Sequence, residues 1–228
     1  MSHASVEEGS LITLAVALDD DEVARFLGYP AGRRPEGRMA ALFAEALSQA
    51  RRLVRARGAF RSLAPARAEE VGLETVDAER LVVGLVTAGS EIEERASTLL
   101  GEGDSTLALL LDAAGSAAAE EAADRLSAIV TGEKNGSRAA AARVGCRVSP
   151  GYGPWKLESQ RQLFRALPHV EVGVSLTESL LMVPRKSISF AMWLGERGQP
   201  RKAFGGCESC GLETCRHRRP AREKGAVR

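Results

Sequence analysis

Between Thr106 and Val130, apolar residues recur at Leu107, Leu110, Leu111, Ala114, Ala118, Ala122, Leu126, Ile129 and Val130, the spacing of one helical face. This is the longest helix the chain encodes, and the other segments must cover its stripe. Its many alanines and the mid-helix Gly115 let another element approach closely, while Glu120 falls on the face opposite the stripe, toward solvent or a cleft.

The flanking segments supply candidates for that cover. Leu11–Leu18 is short and apolar and reads as a strand; Asp19, Asp20 or Asp21 can then cap a helix through Val23, Phe26 and Leu27. Two prolines and three glycines make 28–37 a loop. Met39–Arg57 is amphipathic, with Leu42, Ala46, Ala50, Leu53 and Val54 on one face. Val71–Val76 and Leu81–Val86, separated by Asp77, are expected to form a hairpin. Ser90 opens a helix with Glu93 at the capping-box spacing, and Gly101 and Gly103 end it. After a polar loop at 131–136, a helix is expected over Lys156–Leu167, then strands at Val170–Leu176 and Ser187–Leu194 with a turn at Pro184.

With 228 residues, 44% of them hydrophobic, the chain can bury a full core. A formal charge of +1 argues against a dedicated nucleic-acid binder, and the longest apolar runs fall short of the roughly 20 residues a membrane span needs. The first ten residues lack the apolar core of a signal peptide, so the expected compartment is the cytoplasm. No phosphate-cradling glycine pattern follows a strand, and His3, His169 and His217 form no helical pair and face no obvious nucleophile, which removes dinucleotide-binding and hydrolase readings. His169, beside Pro168, reads as cover for a helix end.

Two ordered blocks carry more information. Arg147-Val-Ser-Pro-Gly-Tyr-Gly153 resembles the Arg-x-x-Pro-Gly-Tyr motif of the activation domain of cobalamin-dependent methionine synthase. Downstream, Leu176-Thr-Glu-Ser-Leu-Leu-Met-Val-Pro184 with Ser187-Ile-Ser189 is similar to that family's second block, and Leu111–Glu121 and Asp20–Tyr29 resemble segments of its short stand-alone members. The resemblance spans roughly residues 12–195 and covers the activation module alone; the homocysteine and folate barrels and the Asp-x-His-x-x-Gly cobalamin motif find no counterpart. Gly153 where long enzymes tend to carry proline, and Arg185-Lys186 where they carry small residues, favour the short branch; the basic pair could meet an acidic partner surface.

The resemblance implies an α+β fold, a mixed, antiparallel-rich central sheet with flanking helices, over residues 1–200, followed by a basic, cysteine-rich tail over 201–228. It implies that the protein holds S-adenosylmethionine so that its methyl faces the cobalt of a cobalamin supplied by a partner, a methionine synthase lacking its own activation domain or another corrinoid protein. A flavodoxin or ferredoxin would donate the electron that converts cob(II)alamin to cob(I)alamin. The chemistry needs alignment rather than a proton shuttle, so no catalytic acid–base pair is expected.

The ligand-binding residues carried over are Glu120, Arg147, Ser149, Pro150, Gly151, Tyr152, Thr177 and Glu178. Arg147 can grip the ligand carboxylate in a bidentate fork, for which lysine is a poor substitute. Pro150 and Gly151 shape a turn that admits backbone contacts, and Tyr152 offers a ring face and a hydroxyl. Glu120, or Glu121 beside it, could balance the ligand's ammonium or sulfonium. The residue types alone also allow Arg147 as a surface ion pair, Tyr152 as a core aromatic and Glu120 as a solvated helix position.

In the tail, Cys207-x-x-Cys210 and Cys215 are soft ligands at a spacing suited to zinc or an iron–sulfur cluster, with Cys146 or His217 as a fourth donor; free thiols remain open. A competing function is therefore a metal-dependent interaction module that docks through this tail. The tail's eight basic residues against three glutamates could anchor an acidic partner such as a flavodoxin-like donor or a nucleic acid, against a default of a solvated, disordered end.

Overall fold

The computed structural model describes residues 8–132 and 147–195. Its centre is a four-stranded, wholly antiparallel sheet in the order β1 (Ile12–Thr13), β2 (Arg57–Leu63), β3 (Arg80–Thr87) and β6 (Ser187–Leu194). A two-stranded ribbon, β4 (Ser175–Leu176) with β5 (Met182–Val183), stands apart from it. Helices α1 (Asp20–Phe26), α2 (Arg38–Leu53), α3 (Glu91–Gly101) and α4 (Ser105–Thr131) complete the α+β fold expected from the sequence. Among the described residues no helix is long and apolar enough to cross a membrane.

The unbroken apolar run of β3 is explained by burial on both faces. Leu81, Val83 and Leu85 pack with Trp155, Leu163, Phe164 and Val172, while Val82 and Val86 pack with Ala122, Ala123 and Leu126 of α4. Each such side chain contributes about 1.5–3 kcal/mol on leaving water. The long helix α4 serves two cores in succession. Leu107, Leu110, Leu111 and Ala114 face α1, α2 and α3, and the residues after Ala117 face the sheet. The close approach expected at Gly115 is made by the Lys186 side chain, whose Cγ would stand 3.1 Å from a Cβ at that position.

Asp19 caps α1 by accepting the Asp21 N–H at 2.8 Å, and Asp104 caps α4 by accepting that of Leu107 at 3.0 Å. Arg34, from the loop before α2, hydrogen-bonds Asp21 and holds its carboxyl below the usual carboxylate range.

Several local expectations are corrected. The strand paired with β3 is Arg57–Leu63, not Val71–Val76: Val71 closes a 3-10 turn over Pro65–Val71, and Val71 and Leu73 enter the core without a ladder. Helix α2 ends at Leu53 because Val54 turns extended and the Arg55 N–H goes to Ala88. Only Ile12–Thr13 of the first apolar run joins the sheet. Val170 lies in a helical turn, His169–Val172, so only Ser175–Leu176 of that segment is strand. The helix after Lys156 is a short 3-10 turn followed by Gln160–Ala166. Ser90 makes no side-chain cap; Glu93 instead accepts the Lys186 backbone N–H at 2.5 Å.

Candidate functional site

The segment carrying Arg147 is fixed by its neighbour. Val148 exchanges two backbone hydrogen bonds with Ala191, of 3.0 and 2.8 Å, and so extends the sheet beyond β6. From that edge Arg147 reaches α4. Its Nη2 donates to Glu120 Oε2 at 3.0 Å, and its Nη1 pairs with Asp124 Oδ1 at 2.6 Å and lies 3.5 Å from Ser127 Oγ. Glu120, Asp124 and Ser127 follow the i, i+4, i+7 spacing of one helical face, which is why a single guanidinium meets all three. The guanidinium also sits over the Phe190 ring, 5.7 Å from its centroid, within cation–π range.

The Arg147 side chain is 17% exposed, against 33% for Glu120 and 44% for Asp124. The cluster is thus a half-buried ionic site, where charges act more strongly than at the surface. Glu121 turns elsewhere and pairs with Arg125 at 2.7 Å.

Ser149 to Tyr152 form a turn in which the Tyr152 N–H donates to the Ser149 carbonyl at 3.1 Å. Pro150 and Gly151 occupy its centre; Gly151 has φ +92°, the left-handed value that selects glycine. Pro150 is buried, and Tyr152 is 71% exposed rather than a core aromatic. Trp155 anchors the turn from beneath: its carbonyl accepts the Gly151 N–H at 2.8 Å, and its indole N–H donates to the Val71 carbonyl at 2.9 Å.

Thr177 and Glu178 stand in a different element, the connection between β4 and β5. The Thr177 hydroxyl accepts the Leu181 N–H at 3.0 Å to close that connection, and the exposed Glu178 offers its carbonyl to Arg161 at 2.7 Å. The structure thus brings Arg147 and Glu120 together, holds Ser149–Tyr152 as one turn, and sets Thr177 and Glu178 in a separate hairpin. Asp124, Ser127 and Phe190 were missed from sequence; the i+4 and i+7 spacing from Glu120 was the available signal for the first two.

Of the basic pair read as facing an acidic partner, Lys186 is spent internally, on Asp112 at 2.8 Å and Ser116 at 2.9 Å. Arg185 lies 3.6 Å from Glu93 and stays mostly exposed. His169, read as cover for a helix end, opens the helical turn His169–Val172, and its Nδ1 lies 2.9 Å from the Val174 carbonyl just beyond that turn. Cys146, Cys207, Cys210, Cys215 and His217 lie outside the described residues. A separate open groove of about 540 Å³ runs between Leu14–Ala17 and Arg125, Ala128 and Ile129, on the face of α4 adjacent to the Arg147 cluster.

Known proteins match this architecture. A solved structure described as the MetH reactivation domain bound to AdoHcy is similar over 83% of this chain and 79% of that one, with a TM-score of 0.59 and 15% identity, a likeness of fold. No curated protein matches in sequence. Residues 74–200, more than half of the chain and including Glu120 and the Arg147–Tyr152 turn, match the family described as vitamin B12 dependent methionine synthase, activation domain, and the chain belongs to that family.

Proposed function

We propose that this protein binds S-adenosylmethionine at the Arg147 cluster and presents its methyl group to a cobalamin carried by a partner. The observation that carries the reading is the meeting of Arg147 with Glu120, 27 residues apart in sequence, beside the Ser149–Tyr152 turn. The residues fit the ligand's charges: a guanidinium for the α-carboxylate and carboxylates for the ammonium and sulfonium, with the exposed Tyr152 in the turn that follows along the chain.

The ligand supplies a methyl on a sulfonium; transfer to a cobalt nucleophile breaks the S–C bond, forms a Co–C bond and leaves the thioether S-adenosylhomocysteine. What this chain contributes is alignment and charge placement, worth several orders of magnitude in such a bimolecular step. Arg147 orients the carboxylate end. The Pro150–Gly151 turn offers backbone groups, and Tyr152 a face for the rest of the ligand. The partner in this reading is a methionine synthase without its own activation domain, or another corrinoid methyltransferase, with a flavodoxin-like or ferredoxin-like donor reducing cob(II)alamin by one electron.

Calorimetric titration of the full chain with S-adenosylmethionine, with the cysteines kept reduced, tests this. Saturable binding that disappears in Arg147→Ala and survives deletion of 201–228 supports it. Absence of binding even with a cobalamin protein present would favour a tail-dependent interaction module.

A further inference from the structure

We propose that Phe190 is a positioning residue for ligand recognition, its ring setting the tilt of the Arg147 guanidinium so that the ligand's carboxylate is met in plane; the inference rests on the binding reading above and concerns a residue outside the Arg-x-x-Pro-Gly-Tyr motif. Val148 and Ala191 are paired, and both side chains enter the core on the side of the sheet away from α4. Neighbours along a strand alternate faces, so Arg147 and Phe190 both point to the α4 side, as diagonal neighbours across that pair. The Arg147 Cζ stands 5.7 Å from the Phe190 ring centroid.

Glu120 at Nη2 and Asp124 at Nη1 fix where the two ends of the guanidinium lie, but two contacts define a line and leave the plane free to tilt about it. A flat group packed against the guanidinium settles that tilt, and Phe190 is itself held. Its ring is fully buried and packs with Ala122, Ala123 and Leu126 of α4. The outer end of the ring rests on Gly84, where a Cβ would stand 2.6 Å from Cζ, 2.9 Å from Cε1 and 3.0 Å from Cε2. The seat exists because β3 carries glycine at the register position opposite Phe190. Arg147 is only 17% exposed, so the ring acts on a partly desolvated cation, where such a contact is stronger than at an open surface. A carboxylate takes two parallel N–H bonds from a guanidinium only when it lies in the guanidinium plane. A tilt that is no longer held is therefore felt by ligands that carry a carboxylate and not by one that lacks it.

The test is calorimetric titration of wild type, Phe190→Met, Gly84→Ala and Arg147→Ala with S-adenosylmethionine, S-adenosylhomocysteine and decarboxylated S-adenosylmethionine, with circular dichroism on the same samples. Phe190→Met fills much of the same space without a π face, whereas Gly84→Ala keeps the ring and displaces it. Each is expected to weaken the two carboxylate-bearing ligands about three- to tenfold and to leave the decarboxylated one within about twofold of wild type. Should Phe190→Met fail to fold, Gly84→Ala carries the same comparison. Wild-type affinity for S-adenosylmethionine in the folded variant, or an equal loss for all three ligands, overturns the proposal and leaves Phe190 a core residue only, with the binding site standing. Failure of the wild type to bind either carboxylate-bearing ligand, or Arg147→Ala binding as wild type does, overturns the site itself.

Discussion

Lys186 lies across the waist of α4, its Nζ 2.8 Å from Asp112 and 2.9 Å from Ser116, with its methylenes packed over Gly115. The same residue's backbone N–H donates to Glu93 of α3. One side chain and one amide therefore tie the start of β6 to two helices. The lysine is only 12% exposed, so the ammonium depends on those partners for its solvation.

Lys186→Met keeps the stem and removes the charge, leaving Asp112 and Ser116 to water. Stability is expected to fall by about 1–2 kcal/mol, as for loss of a charged hydrogen bond at a half-buried site. Urea unfolding checks it; a midpoint equal to that of the wild type would mean the pair is as weak as an ordinary surface bridge.

Gly84 sits opposite both Phe60 and Phe190 in the sheet register, and a Cβ there would stand 2.6 Å from Phe190 Cζ. The ring cannot retreat freely because Phe190 is fully buried and underlies Arg147. Gly84→Ala should destabilise by about 1–3 kcal/mol through overpacking, against the gain that alanine usually brings over glycine in a strand. Thermal unfolding reads the sign directly, and a raised midpoint would refute the steric account.

These constraints show which parts of the fold were legible in the chain and which were not. The α4 stripe and the Leu81–Val86 run were readable because each buries a continuous apolar surface. Arg57–Leu63 was not, since its two arginines and its glycine hide the alternation and the preceding helical pattern runs into it. Val71 and Leu73 misled for the opposite reason: they are buried like strand residues, but from a 3-10 turn and the chain just after it. At the candidate site, resemblance singled out Arg147 and Glu120, and the structure places the two side chains 3.0 Å apart. Asp124 was not singled out, because a carboxylate one turn from another looks like a solvated helix face until a cation from elsewhere in the chain arrives on it.

Trp155 is the buried support of the Ser149–Tyr152 turn, and its indole N–H satisfies the Val71 carbonyl. Trp155→Phe removes that donor and part of the ring volume together. A loss of about 2–4 kcal/mol is expected from the stranded carbonyl and the space left behind. Denaturant unfolding followed by circular dichroism measures it; a loss below 1 kcal/mol would show that the turn does not depend on this anchor.

Arg147→Lys separates charge from geometry at the site. The guanidinium serves Glu120 and Asp124 on different nitrogens while lying over the Phe190 ring, an arrangement a single ammonium cannot reproduce. Lysine keeps the positive charge, so the two carboxylates remain compensated and the fold should lose no more than about 1 kcal/mol. Binding should suffer far more, because a point charge cannot hold Glu120 or Asp124 and grip a ligand carboxylate side-on at once. S-adenosylmethionine affinity is expected to fall at least tenfold, equivalent to about 1.4 kcal/mol, with the melting temperature nearly unchanged. If lysine bound the ligand as well as arginine does, Arg147 would be a source of charge only, and the fork geometry would play no part in recognition.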